Sequence, residues 1–281
     1  MQTINLFRTA AGEWIRNTDL LAALRQVGAA DAKILFMHTE LSFGMPNPDL
    51  GKRELLEALY LTLRELGVAT LCVPTYTFSF CNGQAYSVQR SRSRMGALNE
   101  YLRGREEARR SHDPLLSVAM IGDDVDLISE LSHFSIGAGS TFDKLRGKSG
   151  VKFLFFGARL SRCFTYLHYV EKMEQAPYRY DRAFTGTIET PAGLYEDTYT
   201  LFVRYQGVNP TNETKFEDLL FDSHALARVD CGDSTIACID EPIAYQAIRE
   251  KLAAEPYYFL DQPYPALPWC SEFAVKDMVT L

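Results

Sequence analysis

The sequence predicts an α/β fold: a mixed β-sheet covered by helices on both faces, with a C-terminal β-hairpin and helix lobe. Three observations carry this. Short apolar runs recur at Lys33-Ile-Leu-Phe-Met37, Ala69-Thr-Leu-Cys-Val73 and Val151-Lys-Phe-Leu-Phe-Phe156, and runs of that length bounded by polar loops read as buried strands. Amphipathic stretches separate them, as in chains that wrap helices over a sheet. Each run ends in a polar or glycine-bearing loop, at 38–44, 74–77 and 157–159, where open α/β sheets gather their ligands.

Taken in order, the spacing predicts a helix over 18–27, with Gly28 as its C-terminal cap. A second helix is expected over 52–66 and a third over 124–131. Gly157 turns the chain after the third apolar run, and a helix over 163–175 is stopped by Pro177. Beyond it, 180–189 and 197–205 flank a Thr190-Pro-Ala-Gly193 turn and read as a β-hairpin. Helices over 213–225 and 241–255 follow. Pro263, Pro265 and Pro268 mark the last 20 or so residues as an extended arm lying over the body. The expected division is an α/β core at 1–176 and a C-terminal lobe at 177–281, joined as one structural unit.

Composition narrows the function. The chain has 281 residues, 47% hydrophobic and 23% charged, with net charge −7. That charge argues against a nucleic-acid partner. No apolar run approaches the ~20 residues that span a bilayer, and the first residues lack the basic start and apolar stretch of a secretory signal. Cys72, Cys81, Cys163, Cys231, Cys238 and Cys270 are scattered without a C-x-x-C pair. They read as small hydrophobes in a reducing cytoplasm, with no metal site expected.

Several strings bear on chemistry. Arg25-Gln-Val-Gly28-Ala-Ala30 matches the pyrophosphate turn of the commonest acetyltransferase fold in letters only. It ends a helix, whereas that motif must open one so that backbone amides point at the anion. Neither a G-x-S-x-G elbow nor a P-loop is present. Arg109-Arg-Ser-His-Asp-Pro-Leu-Leu-Ser117 sets arginines and hydroxyls around a proline, either as a polar connecting loop or as a holder for phosphate. The richest string is Thr165-Tyr-Leu-His168-Tyr-Val-Glu171. Thr165, His168 and Glu171 fall three residues apart on one helical ridge, beside an apolar stripe through Cys163, Leu167 and Val170. A solvated surface pair is one reading of it; a general base with its orienting carboxylate is the other.

In order along the chain, these blocks resemble the aminoglycoside 3-N-acetyltransferase-like family, CoA-dependent acyltransferases unrelated to the commonest acetyltransferase fold. The resemblance covers roughly residues 14 to 260. It rests on Ile34-Leu-Phe-Met-His-Thr-Glu-Leu-Ser42, Thr70-Leu-Cys-Val-Pro-Thr-Tyr-Thr77, Arg110-Ser-His-Asp-Pro-Leu-Leu-Ser117, Gly137-Ala-Gly-Ser140, Gly157-Ala-Arg-Leu160 and Thr165-Tyr-Leu-His168-Tyr-Val-Glu171. The chain departs from the family pattern at Thr39 and Glu40, where two serines are usual. It departs again at Asp113, where His or Asn is usual, and at Val170, where Ala is usual. The resemblance weakens in the C-terminal lobe.

The resemblance implies an acyl-CoA-dependent N-acyltransferase, with a CoA thioester as co-substrate and no metal. His168 would act as base and Glu171 would orient it. Thr39, Ser42, Phe43, Gly44, Thr75, Thr77, Arg110 and Ser117 are the expected CoA and oxyanion contacts. The implied acceptor is an amino sugar, either nucleotide-linked for a surface polysaccharide or an aminoglycoside. A homodimer is compatible with it. A non-catalytic CoA-binding member of the fold is the rival, and an acyl-cysteine route through Cys163 is a weaker one. Tyr178, Tyr180, Tyr205, Tyr257, Tyr258 and Phe259 are an aromatic supply for stacking on a sugar or base.

Overall fold

The computed structural model describes residues 2–211 and 213–262. Strands β1 (Asn5–Arg8) and β2 (Trp14–Arg16) lead into α1 (Asn17–Gln26), then β3 (Ile34–Thr39), β4 (Met45–Pro46) and α2 (Lys52–Arg64). Next come β5 (Thr70–Pro74), β6 (Tyr86–Ser87), α3 (Ala97–Arg103), β7 (Arg109–Arg110), β8 (Val118–Gly122) and α4 (Thr141–Arg146). The chain continues through β9 (Val151–Phe156), α5 (Leu160–Cys163), α6 (Tyr166–Met173), β10 (Arg179–Thr190) and β11 (Gly193–Arg204). It closes with α7 (Glu213–Asp222), β12 (Leu226–Cys231), β13 (Ser234–Asp240) and α8 (Glu241–Ala254).

The main sheet is seven-stranded, in the order β12-β13-β9-β3-β5-β8-β7. Its centre is parallel: β3 pairs with β5 on one side and with β9 on the other, while the flanking pairs are antiparallel. Alternate residues of the central strands serve opposite layers. Ile34, Phe36, Phe153 and Phe155 pack towards α4, α6, α7 and α8. Leu35, Met37, Leu154 and Phe156 pack towards α1, α2 and α3. Burial on both faces explains why these strands read as unbroken apolar runs. Strand order reverses about β3, since the chain builds β5 on one side and later returns to add β9 on the other. The C-terminal ends of β3 and β9 therefore border the crevice that such a reversal opens.

Several expected elements differ from those observed. The helix expected over 163–175 runs only from Tyr166 to Met173, because Phe164, with ψ 72, separates it from the short α5 that ends at Cys163. The expected helix over 124–131 is a single 3-10 turn, Val125–Ile128. The hairpin is longer than its hydrophobic pattern suggests. Pairing runs from Arg179↔Arg204 to Thr190↔Gly193, with exposed positions held in register by the ladder itself. The helix over 213–225 stops at Asp222, three residues early.

β7 and β12 carry no strong apolar run, and the apolar runs of β8 (Val118–Gly122) and β13 (Ser234–Asp240) were not among the strands expected from the sequence. β12, at the sheet edge, is buried only at its ends, Leu226 and Cys231, and is open to solvent between them. β13 pairs with β9, so the chain beyond residue 176 completes the main sheet as well as supplying the hairpin. Gly28 has φ 73 directly after α1, the left-handed cap expected of it. The expected C-terminal arm falls at 263–281, outside the described residues. Among the described residues no helix is long and apolar enough to cross a membrane.

Candidate active site

β9 delivers the chain to Gly157 at the end of the sheet. Here φ is 73, and a Cβ would stand 2.0 Å from the Glu40 carbonyl oxygen. Only glycine allows the loops after β3 and β9 to meet this closely. The chain then enters α5, breaks at Phe164, and starts α6 one residue after Thr165. That break tilts the Thr165–His168–Glu171 ridge inward. Thr165 is 3% and Glu171 2% exposed, so the solvated surface pair is not what forms.

His168 Nδ1 lies 2.7 Å from Glu171 Oε2. The Tyr178 hydroxyl donates to Glu171 Oε1 at 2.7 Å. Arg179 places Nε 2.7 Å from Oε2, as an ion pair whose N–H is not aligned along the contact. Its Nη1 donates to the Phe202 carbonyl at 3.1 Å, and its Nη2 stands 2.7 Å from His168 Nδ1. Gln175 with φ 53, Ala176 and Pro177 reverse the chain after α6, and the Ala176 amide donates to the Glu171 carbonyl at 2.8 Å. This short reversal brings Tyr178 and Arg179 back onto the helix they follow.

The charges are set by these contacts. Burial would raise the Glu171 carboxyl, but the Arg179 cation, His168 and the Tyr178 hydroxyl outweigh it and hold it at about 2. Burial, and next the Arg179 cation, lower His168 to about 4 against the pull of Glu171. The imidazole is therefore neutral at pH 7, and more weakly basic than the unperturbed value suggests. Its ring is 15% exposed and lines a cavity of about 80 Å³. Glu171, Arg179 and Arg204 also line it, with Phe164, Phe216 and Phe259.

A second cluster occupies the ends of β3 and β5. His38 is 4% exposed, stacks on Phe155 at 5.1 Å, and leaves Nε2 without a partner among the described residues. Burial lowers it to about 3. The Tyr76 hydroxyl is likewise unaligned with any partner and lies beside Thr165, one turn of helix before His168.

The other sequence-derived candidates are placed as follows. Thr39 Oγ1 donates to Asn99 Oδ1 at 2.6 Å. Ser42 Oγ donates to the Gly157 carbonyl at 2.8 Å and contacts Ser234 Oγ at 2.9 Å, tying three loops together. Phe43 is fully buried against Phe7 and Phe156. Gly44 has φ 144, and its missing Cβ makes room for the Arg8 carbonyl. Thr77 Oγ1 contacts Ser79 Oγ at 2.7 Å. Arg110 points inward over the Tyr86 ring and reaches Thr75, Ser117, and the carbonyls of Ser87, Val88 and Ser91. Ser117 Oγ donates to the Thr75 carbonyl at 2.8 Å. Asp113 accepts from the Leu115 and Leu116 amides and from Ser135, closing the turn at Pro114. Cys163 is pushed up to about 12 by burial, which disfavours a thiolate nucleophile. Of the aromatic residues singled out in the sequence, Phe259 lines the cavity, while Tyr178 serves Glu171.

The model of the family described as aminoglycoside 3-N-acetyltransferase matches residues 36–253. The chain belongs to this family. Membership makes it a CoA-dependent N-acyltransferase, with the CoA thioester as co-substrate. Among solved structures it is similar to AAC-IIIb in a binary complex with CoASH, at 21% identity over 89% of this chain and 98% of that one, with TM-score 0.69. It is similar to the AAC(3)-IVa apoenzyme at 18% identity, over 92% and 93% of the two chains, with TM-score 0.70. YokD from Bacillus subtilis follows at 17% identity, over 89% and 96%, with TM-score 0.67. At these identities the likeness establishes the fold. No curated protein matches the chain in sequence.

Family motifs led to His168 and Glu171, but not to Tyr178, Arg179, Arg204 or Tyr76. Pro177 offered the one available signal: a helix stop directly after the Thr165–His168–Glu171 ridge returns the next residues to it. Nothing in the sequence marks Arg204, which reaches the cavity because the hairpin register pairs it with Arg179.

Proposed function

We propose that this acyltransferase acylates the amine of an amino sugar by direct transfer, with His168 as general base and Glu171 as its orienting partner. A nucleotide-linked amino sugar is preferred over an aminoglycoside. The reading is carried by one observation: a buried carboxylate, anchored by Tyr178 and Arg179, holds the imidazole at the mouth of a cavity.

Nδ1 faces both Glu171 and Arg179 and serves one of them at a time. With its proton on Glu171, Nε2 carries the lone pair a base needs; with its lone pair on Arg179, Nε2 carries a proton instead. Once the ring is protonated, both nitrogens donate and only Glu171 can accept. The carboxylate therefore supports the state that the reaction creates.

The amine nitrogen attacks the thioester carbonyl, forming the N–C bond and placing the carbonyl electron pair on oxygen. The nitrogen's proton passes to His168 Nε2. Collapse of the adduct breaks the C–S bond, and the departing thiolate takes the proton from the imidazolium to give free CoA and the amide. A base held at about 4 does not deprotonate a free ammonium, so the acceptor enters as the neutral amine. The same low value makes the imidazolium a ready acid for a thiolate, whose conjugate acid lies near ~8.5. At the strand-end crevice, the buried Tyr76 hydroxyl beside Thr165 is a candidate donor for the thioester arm.

The preference among acceptors draws on the C-terminal half. Pro210, Thr211, Phe216, Phe259 and Leu260 wall the cavity, and here the family resemblance is weakest. The test is thiol release from acetyl-, butyryl- and hydroxybutyryl-CoA against amino sugars, their nucleotide diphosphate conjugates and aminoglycosides. His168→Ala is expected to lower turnover by ~100-fold or more, with CoA affinity little changed. Turnover within a few-fold of the parent protein would remove His168 from the mechanism. Fast acylation of an aminoglycoside with no activity on any nucleotide sugar would reverse the acceptor preference.

A further inference from the structure

The cavity beside His168 is largely apolar once its charged groups are traced to their partners. Glu171 is met by Tyr178, His168 and Arg179. Arg179 also donates to the Phe202 carbonyl, and Arg204 donates to the Val208 carbonyl at 3.2 Å. Arg162 is an exposed residue. What remains is mostly carbon: Phe164, Leu167, Pro210, Phe216, Phe259 and Leu260. Two hydroxyl residues, Ser161 and Thr211, complete the described lining.

Acyl transfer brings two groups to His168. The amine nitrogen gives its proton to the imidazole while bonding to the thioester carbonyl carbon. One bond beyond the nitrogen lies a carbon of the acceptor sugar, and one bond beyond the carbonyl carbon lies the first carbon of the acyl chain. Hydrogen bonding decides which of them suits the cavity. A pyranose carries several hydroxyls, and each loses water on burial and needs a partner. The two hydroxyl side chains of the described lining are too few for that. An acyl chain has no such need, and leaving water favours its burial. Size agrees. About 80 Å³ holds roughly two or three groups of the ~30 Å³ that a water molecule occupies, less than a sugar ring and more than the methyl of an acetyl group.

We propose that this cavity is the acyl pocket, and that it selects a CoA thioester with a chain of three or four carbons, such as butyryl, over acetyl-CoA. The proposal rests on the acyl-transfer reading above and names the class of acyl group transferred. An acetyl group would leave most of the cavity unfilled, and the side chains facing that space would lose their contacts. The acceptor then approaches the imidazole from the solvent side, where the ring is 15% exposed.

Thioether analogues that cannot transfer their chain test this by calorimetry on the full-length protein: S-ethyl-, S-butyl- and S-octyl-CoA. S-Butyl-CoA is expected to bind ~10-fold or more tighter than S-ethyl-CoA, since each buried methylene is worth about fourfold in affinity. S-Octyl-CoA should bind no tighter than the butyl compound. Leu167 lines the cavity and is partly exposed on α6, so its size can be changed with little disturbance of the core, and circular dichroism checks the fold. Leu167→Phe fills the space and should bring the affinities of the butyl and ethyl compounds close together. Leu167→Ala enlarges it and should favour S-octyl-CoA over S-butyl-CoA. Equal affinities of the ethyl and butyl compounds for the parent protein would overturn the proposal, and a further gain from butyl to octyl would overturn its size limit. So would a Leu167→Phe variant that keeps the butyl preference but raises the KM of an amino-sugar acceptor, which would assign the cavity to the acceptor. These binding ratios are independent of whether His168 is the base, which turnover of His168→Ala decides separately.

Discussion

Two inward-turned arginines, Arg110 and Arg179, make opposite use of the same side chain. Arg110 is surrounded by neutral acceptors: the Thr75 hydroxyl and carbonyl, the Ser117 hydroxyl, and the carbonyls of Ser87, Val88 and Ser91. It fastens the loop after β6 to the end of β5. Arg179, 6% exposed, faces a carboxylate and an imidazole that both open onto a cavity. Its charge changes what those groups can do. A guanidinium whose donors all end on carbonyls and hydroxyls shapes backbone, whereas one coupled to titratable groups shapes chemistry.

The contrast sets two expectations. Arg179→Met leaves Glu171 buried without its cation, and breaking such a pair costs about 3–5 kcal/mol. Urea denaturation should show that loss, and turnover per folded molecule should fall along with it. Arg110→Met removes no charge partner and should cost less, about 1–3 kcal/mol for the carbonyls left unsatisfied. Turnover per folded molecule should then stay within about threefold. If Arg110→Met proved as damaging to turnover as Arg179→Met, the division between clamp and catalytic network would fail.

Glu171→Gln sharpens the comparison from the other side. It keeps the shape, and Tyr178 can still donate to the amide oxygen, but Arg179 then carries an unbalanced charge beside His168. On the proposed mechanism, turnover should fall by ~10–100-fold, less than for His168→Ala, because the proposed base would remain while the group that steadies its protonated form would be lost. A Glu171→Gln variant more damaged than His168→Ala would exchange the roles assigned to the two residues.

Much of this was visible in the sequence, for identifiable reasons. The central strands are buried on both faces, so β3, β5 and β9 appear as apolar runs with boundaries correct to a residue or two. His168 and Glu171 are separated by a helical interval, and local geometry alone makes them neighbours. What the sequence withholds depends on long-range register. β13 joins β9 through a pairing some 80 residues apart in the chain, and Arg204 meets the site through the hairpin ladder. The direction in which a side chain points is equally hidden. The Arg110 string stands out as a cluster of charge and hydroxyls, yet only the fold turns that guanidinium inward, where the loop after β6 takes up its donors.

His38 and His168 allow the smallest and most specific test. Burial lowers His38 to about 3, and burial with the Arg179 cation lowers His168 to about 4. In the unfolded chain both take up a proton near the unperturbed ~6.5. Below that pH the unfolded state binds protons that the folded state refuses, so stability falls as pH falls. From His168 the loss accumulates between about 6.5 and 4; from His38 it continues to about 3. Glu171, held at about 2, adds its own loss below its unfolded value of ~4.3. Each histidine contributes at most ~1.4 kcal/mol per pH unit within its window. Unfolding free energies from urea titrations at pH 7.5, 6.5, 5.5 and 5.0 should be flat across the first interval and decline through the rest. His38→Phe keeps the stacking on Phe155 and removes one titrating group, so it should roughly halve the slope between pH 6 and 5. An unchanged slope would mean that His38 takes a proton in the folded protein, through a contact its buried and unpartnered Nε2 does not suggest.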